Sequence, residues 1–172
     1  QLEKKLIEIL GDDIGKQANY YIAENWISYE NPEDKVNFYD FKNQNLKTSL
    51  TISSLFDADI YRKACNWIYE NKSYFGDSIL DIGCDNGIMT CFLARLFPDA
   101  QIIAIDRSAN AIKVASEFAK KMDVKNISFI CSDIKNLKLN QKFETVFSMR
   151  TMNENDSKYT EYPYFQDIEV QG

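Results

Sequence analysis

Hydrophobic residues recur with two different periods along the chain, and the change of period divides the chain near residue 78. Before that point, apolar side chains lie three or four positions apart, as on the buried face of a helix. This spacing predicts a helix over 2–10 that ends at Gly11, a second over 14–22 and a third over 60–68. Residues 36–56 fit neither period, because aromatic residues alternate first and a Ser/Thr-rich stretch follows.

After residue 78, short apolar runs alternate with helical segments. Strands are predicted over 78–82, 101–105, 127–131 and 142–149, with helices over 88–97 and from a Ser108 cap to about Met122. Strands separated by helices of this length indicate βαβ crossovers and a parallel sheet. The predicted fold class is α/β, a Rossmann-like, doubly wound and mostly parallel sheet with an N-terminal helical subdomain.

Composition supports the same division. All ten tyrosines and both tryptophans lie outside residues 78–150. We therefore predict an N-terminal helical cap over 1–77, a ligand-binding core over 78–150 and a C-terminal segment over 151–172. The aromatic residues of the first block are predicted to form the core of the helical subdomain, with a substrate lid as the alternative: Tyr20, Tyr21, Trp26, Phe38, Tyr39, Phe41 and Trp67.

Several classes of function are disfavoured by composition. The chain has no histidine, which removes Ser-His-Asp and Cys-His catalysis, and no metal site is predicted. The net charge of −6 argues against general nucleic-acid binding, and no apolar run is long enough to span a membrane. The four cysteines form no CxxC pair, so reduced thiols in a cytoplasmic protein are expected, with Cys91 and Cys131 as small core residues.

Candidate chemistry lies at the ends of the predicted strands. The first strand turns into its helix through the segment from Asp81 to Gly87, where glycine permits a tight turn and close approach of a ligand. Asp106 ends the second strand, and Asp133 follows the third. Ligands of open α/β sheets bind along these carboxyl ends, so Asp81, Asp106 and Asp133 are predicted to line one crevice that accepts a nucleoside-type ligand.

The glycine spacing distinguishes between two kinds of nucleoside ligand. The dinucleotide fingerprint G-x-G-x-x-G, counted from Gly83, requires glycine where Asp85 and Ile88 stand, and Asp85 would repel a pyrophosphate. The pattern D-x-G-x-x-x-G instead resembles the class I S-adenosylmethionine-dependent methyltransferases. The segments that carry this resemblance run from Ile79 to about Asn153 and comprise 79–87, 103–106, 131–134 and 143–148.

The resemblance implies a role for each candidate residue. Asp81 and the loop Gly83, Cys84, Asp85 and Gly87 would hold the methionine end of S-adenosylmethionine. Asp106 would accept hydrogen bonds from the ribose hydroxyls, while Asp133 and the Ile134 backbone would contact the adenine. Arg107 would cover the adenine, or it is a solvated surface cation. Asp85 stands where many members have glycine, and Asp tolerates the left-handed conformation better than most residues.

The implied reaction is transfer of a methyl group from a sulfonium to an acceptor nucleophile. Positions 149–154 after the fourth strand would face the methyl group, and the catalytic residues stay unknown, because alignment and desolvation can suffice without a dedicated base. A small-molecule acceptor is favoured. The alternatives left open are a non-catalytic module of the same fold that binds a cofactor or a partner, and an NAD-type oxidoreductase.

The last expectation concerns completeness. The resembled fold has seven strands, and only 23 residues follow residue 149. One further strand is plausible near 167–170. The edge of the fourth strand would otherwise be exposed, which is an aggregation hazard. It could be covered by the N-terminal block, by a second copy in a homodimer, or by chain beyond these residues, the alternative we favour. An added C-terminal element or a dimer contact would also explain the apolar aromatic residues Tyr159, Tyr162, Tyr164 and Phe165.

Overall fold

A four-stranded parallel sheet forms the centre of the C-terminal part of the molecule. The computed structural model describes residues 1–24, 32–149 and 151. The strands are β1 (Ser78–Ile82), β2 (Gln101–Asp106), β3 (Ile127–Cys131) and β4 (Thr145–Ser148), in the order β3-β2-β1-β4. All three pairings are parallel, with Ile79 opposite both Ile102 and Thr145. The predicted α/β fold with a parallel sheet is confirmed.

The helices of this part follow the predicted pattern closely. Helix α6 (Ile88–Leu96) connects β1 to β2, and α7 (Ala109–Lys121) connects β2 to β3. The Ser108 side chain caps α7 by accepting a hydrogen bond from the Ala111 N–H at 3.2 Å, as predicted. Both helices contact β2 and β3. The fourth strand is shorter than predicted, because its pairing with β1 begins only at Thr145.

The chain divides into two compact units, residues 1–64 and 65–172, and the division falls within helix α5 (Ala58–Glu70). The first unit contains α1 (Leu2–Leu10), α2 (Asp12–Asn19), a π-helical turn (Tyr20–Glu24), α3 (Pro32–Lys42) and α4 (Leu46–Phe56). Helix α1 ends before Gly11 as predicted, whereas the second predicted helix changes to the wider π-turn after Asn19. The predicted boundaries at residues 77 and 150 stay predictions.

Residues 36–56, which fit neither hydrophobic period, lie in the two helices α3 and α4 and the turn between them. Asn45 caps α4 through a 2.8 Å hydrogen bond from the Thr48 N–H to its side-chain oxygen. The Ser/Thr residues of α4 are largely buried, and the Ser49 hydroxyl donates to the Asn43 side chain at 2.8 Å in the interior. Buried hydroxyls of this kind are stable when they are hydrogen-bonded, but they conceal the helical period in the sequence.

Apolar and aromatic side chains of the first unit form one core cluster. Its buried members are Leu6, Ala18, Ile22, Phe38 and Ile52, with Tyr21, Tyr39 and Phe41 packed partly buried against them. These aromatic residues therefore belong to a helical core, which the sequence analysis favoured over a substrate lid. Of the other aromatic residues in that prediction, Tyr20 and Trp67 are exposed, and Trp26 lies outside the described residues. In the helix predicted over 60–68, which is part of α5, Ile68 is the buried residue.

Two expectations about the rest of the chain fall outside the described residues: the strand near 167–170 and the tyrosine-rich segment before it. Within the described part, none of the helices combines the length and the apolar character needed to cross a bilayer.

Asn126, directly before β3, connects three neighbouring segments. Its side-chain nitrogen lies 2.9–3.2 Å from the carbonyl oxygens of Ala94, Phe97 and Ala100. Its own carbonyl accepts a hydrogen bond from the Ile102 N–H at 2.9 Å. One side chain thus satisfies carbonyls that the end of α6 and the following turn leave without helical partners.

We expect Asn126→Ala to lower the free energy of unfolding by about 1–3 kcal/mol, because the carbonyls of the buried Ala94 and Ala100 lose a donor. Urea unfolding measures this change, and Lys125→Ala, which removes an exposed neighbouring side chain, serves as the control. Equal stability of the two variants would contradict the assignment.

Candidate functional site

The loop between β1 and α6 is held against the end of β2 by its backbone. Gly83 and Gly87 have φ angles of 73° and 76°, in the left-handed region that glycine adopts without strain. The Gly83 and Cys84 N–H groups both donate to the Ile105 carbonyl, at 2.8 and 3.0 Å. A Cβ on Gly87 would lie 2.9 Å from the Ala115 Cβ, so this glycine also permits α6 to pack closely against α7.

Asp85, the residue that replaces glycine in the fingerprint, also adopts a left-handed conformation, with φ 47°. Its backbone N–H donates to Asp106 Oδ2 at 2.9 Å. The expectation that aspartate supports this turn is therefore met in the structure. The bond also connects two of the predicted site residues directly.

The Asp106 carboxylate accepts two backbone hydrogen bonds, one per oxygen. The Ser108 N–H donates to Oδ1 at 2.9 Å, opposite the bond from Asp85. Burial raises the pKa of this carboxyl above its usual value, and the two backbone hydrogen bonds oppose that effect. Since a carboxylate offers about four acceptor positions, the half-buried side chain keeps capacity for ligand hydroxyls.

Asp81 lies in the interior, with 2% of its surface exposed. It accepts a 2.6 Å hydrogen bond from the Thr90 hydroxyl on α6, which is itself fully buried. Burial is the main cause that raises the pKa of Asp81 to about 7; the Asp106 charge adds to the effect, and the Thr90 hydrogen bond opposes it. Asp81 is thus buried and bonded to α6 through Thr90, and its predicted place at a ligand crevice stays a prediction.

The third strand contributes the remaining predicted residues. The Ser132 N–H donates to the Asp106 carbonyl at 2.9 Å, which extends the contact between the ends of β2 and β3. Asp133 caps the 3-10 turn Ile134–Asn136 by accepting from the Lys135 N–H at 2.9 Å. Arg107 and Ile134 are exposed near this end of the sheet.

The cysteines differ from expectation at one position. Cys91 is buried as predicted, and burial raises its pKa to about 12. Cys84 is also buried, and burial together with the neighbouring carboxylates raises its pKa, which disfavours a reactive thiolate. The expectation of a buried Cys131 is wrong: the residue ends β3, at an edge of the sheet as described, and its thiol lies exposed, 3.7 Å from the Arg107 carbonyl.

Three residues beside the predicted site were not singled out by the sequence analysis. Thr90 gives no local signal, because its partner lies across the strand-helix turn. Ser148 and Thr151 place their hydroxyls 3.2 and 3.1 Å from the Ile82 carbonyl, at the end of β1. Thr151 belongs to the segment predicted to face a methyl group; positions 150 and 152–154 of that segment lie outside the described residues.

Comparison with known proteins identifies the family. Residues 75–163, just over half of the chain, match the model of a methyltransferase domain. The chain belongs to this methyltransferase-domain family. A crystal structure of an S-adenosylmethionine-dependent methyltransferase from Clostridium acetobutylicum ATCC 824 is similar at a TM-score of 0.50 and 27% identity, over 59% of this chain and 42% of that one. The predicted resemblance to class I methyltransferases is confirmed.

Curated relatives also match part of this chain. A malonyl-[acyl-carrier protein] O-methyltransferase of Bacillus anthracis is 36% identical over 95 residues, which cover 55% of this chain and 34% of that protein. A tRNA (guanine-N(7)-)-methyltransferase of Rubrobacter xylanophilus is 35% identical over 66 residues, 37% of this chain and 30% of that protein. The matches thus span about a third of each relative.

The raised pKa of Asp81 predicts a specific dependence of stability on pH. Between about pH 4 and pH 7 the folded chain keeps a proton on Asp81 that the unfolded chain has lost. Its contribution to stability is therefore complete below pH 4 and is lost as the pH rises through 7, by up to about 1.4 kcal/mol per unit. Asp81→Asn, which keeps an acceptor for Thr90, should remove that slope.

Urea unfolding of both proteins from pH 4 to 7 measures the difference in slope. Asp99→Asn, which changes an exposed carboxyl in the turn after α6, is the matched control. Parallel curves for the native chain and Asp81→Asn would show that Asp81 titrates alike in both states.

Asp106→Ala tests the centre of the site. Charge-assisted hydrogen bonds to ligand hydroxyls would be lost, so ligand affinity should fall roughly tenfold to a hundredfold. Because the carboxylate also holds two backbone N–H groups, stability should fall by about 1–3 kcal/mol. Titration calorimetry with S-adenosylhomocysteine and urea unfolding measure the two effects, with Glu117→Ala on the exposed side of α7 as control. An unchanged dissociation constant would remove Asp106 from the ligand site.

Proposed function

We propose that the chain binds S-adenosylmethionine along the carboxyl ends of β1, β2 and β3 and forms the cofactor-binding part of a methyltransferase. The observation that carries the proposal is the Asp106 carboxylate, which is tied to the glycine loop through the Asp85 N–H at 2.9 Å and retains acceptor capacity. This combination suits a ribose diol, because its two hydroxyls need adjacent acceptors.

The proposed roles follow the order of the strands. The loop of Gly83, Cys84, Asp85 and Gly87 would hold the methionine end, with Asp81 supporting it from the interior. Asp106 would bind the ribose hydroxyls. On the adjoining strand end, Asp133, the Ile134 backbone and Arg107 would border the adenine.

The negative character of the site supports a cationic ligand over a dinucleotide. Burial is the main cause that raises the pKa values of Asp106 and Asp81; the Asp85 charge adds to it at Asp106, and the Asp106 charge adds to it at Asp81. A pyrophosphate would meet these carboxylates unfavourably, whereas a sulfonium with its ammonium group would neutralise them. When bound, S-adenosylmethionine supplies the electrophilic methyl group, and the residues of this chain orient it and limit access of water.

A small-molecule nucleophile is the acceptor that we propose. The net charge of −6 disfavours a polyanionic acceptor such as RNA. The chain would work in the cytoplasm, since its four cysteines are all free thiols. The same proposal includes a homodimer, in which a second copy of the chain pairs along the edge of β4.

Titration calorimetry with S-adenosylmethionine, S-adenosylhomocysteine and NAD tests the proposal. We expect heat with the first two ligands, competition between them, and no heat with NAD. A panel of small nucleophiles with labelled S-adenosylmethionine then tests transfer. Absence of binding to both adenosyl ligands at millimolar concentration would refute the cofactor assignment, and binding without transfer to any acceptor would favour a non-catalytic module.

A further inference from the structure

The side chain of Thr151 covers one face of Gly83. A Cβ built on Gly83 would overlap the Thr151 side chain, including its hydroxyl, its methyl group and its Cβ. The Thr151 hydroxyl lies 3.1 Å from the Ile82 carbonyl and 3.4 Å from the Gly83 carbonyl, within reach of a hydrogen bond to either. The space that a side chain at position 83 would occupy is therefore filled from the segment after β4.

This contact lies where the ligand is expected. Gly83 follows β1 directly, at the carboxyl edge of the sheet, and ligands of such folds use that edge. A glycine in this position ordinarily lets a ligand approach the backbone closely. Here the close approach to Gly83 is made by Thr151, which is itself exposed and so can be displaced without opening the core.

We propose that Thr151 competes with the ligand for the surface of Gly83, so that cofactor binding displaces its side chain from the glycine loop. The inference rests on the proposed function, because it takes the cofactor as the competing ligand. Binding then breaks the contact between the hydroxyl and the carbonyls of Ile82 and Gly83. Thr151 would in this way link occupation of the cofactor site to the position of the segment that follows β4.

The chain offers a matched control for the hydroxyl contact. Ser148 donates to the same Ile82 carbonyl at 3.2 Å, but it lies within β4, and the three atoms nearest to a Cβ on Gly83 all belong to Thr151. Removal of either hydroxyl takes one donor from this carbonyl. Thr151→Ala also removes the two nearest of those three atoms, the hydroxyl oxygen and the methyl group, and keeps the third, its own Cβ.

The first experiment measures affinity for S-adenosylhomocysteine by calorimetry. Thr151→Ala should bind roughly 2- to 10-fold more tightly than the native chain, because one net hydrogen bond and its packing no longer have to be given up. Thr151→Ser, which keeps the hydroxyl, should show a smaller gain, and Ser148→Ala should bind as the native chain does. Unchanged or weaker binding by Thr151→Ala would overturn the inference, since Thr151 would then be neutral or a ligand contact.

The second experiment needs no ligand. Gly83→Ala is made in the native chain and in Thr151→Ala, and the loss of melting temperature is compared. The backbone strain of alanine at positive φ is the same in the native chain and in the Thr151→Ala background, so it cancels in the comparison. A smaller loss of melting temperature in the Thr151→Ala background therefore reports the steric overlap between positions 83 and 151. Equal losses would overturn the contact itself. If the native chain binds neither adenosyl ligand, the proposed function fails, whereas this comparison still decides whether Thr151 covers Gly83.

Discussion

The carboxylate of Asp106 is the interaction on which the ligand site depends. One oxygen accepts from the Asp85 N–H in the glycine loop and the other from the Ser108 N–H before α7, each at 2.9 Å. A single side chain thus joins the glycine loop to the residue that precedes α7. With the Ile105 carbonyl, which accepts from Gly83 and Cys84, the end of β2 determines the shape of the loop that leaves β1.

Holding carboxylates in this position carries an energetic penalty. The raised pKa values of Asp81 and Asp106 both have burial as their first cause, which means that the folded chain disfavours their charged forms. Fold stability alone would favour neutral side chains at these two positions, since the Thr90 hydroxyl needs only a hydrogen-bond acceptor. Carboxyl groups with perturbed pKa values cluster at functional sites, which supports the cationic ligand proposed above.

The sequence predicted the second unit far better than the first. Strands β1, β2 and β3 are buried apolar runs, and α6 and α7 lie between them at regular spacing, so local pattern and tertiary environment agree. Helix α4 escaped prediction because Ser49 and Ser53 are buried through hydrogen bonds, which hydropathy does not register. The three aspartates were predicted as site residues from their places at or near strand ends. Thr90 was not singled out, and Thr151 was predicted only as part of the segment 149–154, because their partners are distant in sequence.

Sequence similarity in this family is not tied to one acceptor. A malonyl-[acyl-carrier protein] O-methyltransferase and a tRNA (guanine-N(7)-)-methyltransferase match the chain at nearly equal identity, 36% and 35%, although their names assign them unrelated acceptors. Under the proposed function, Thr151 would lie beside the cofactor, since it follows β4 and covers the first glycine of the loop. Its displacement would then report the state of the cofactor site to the chain that follows β4.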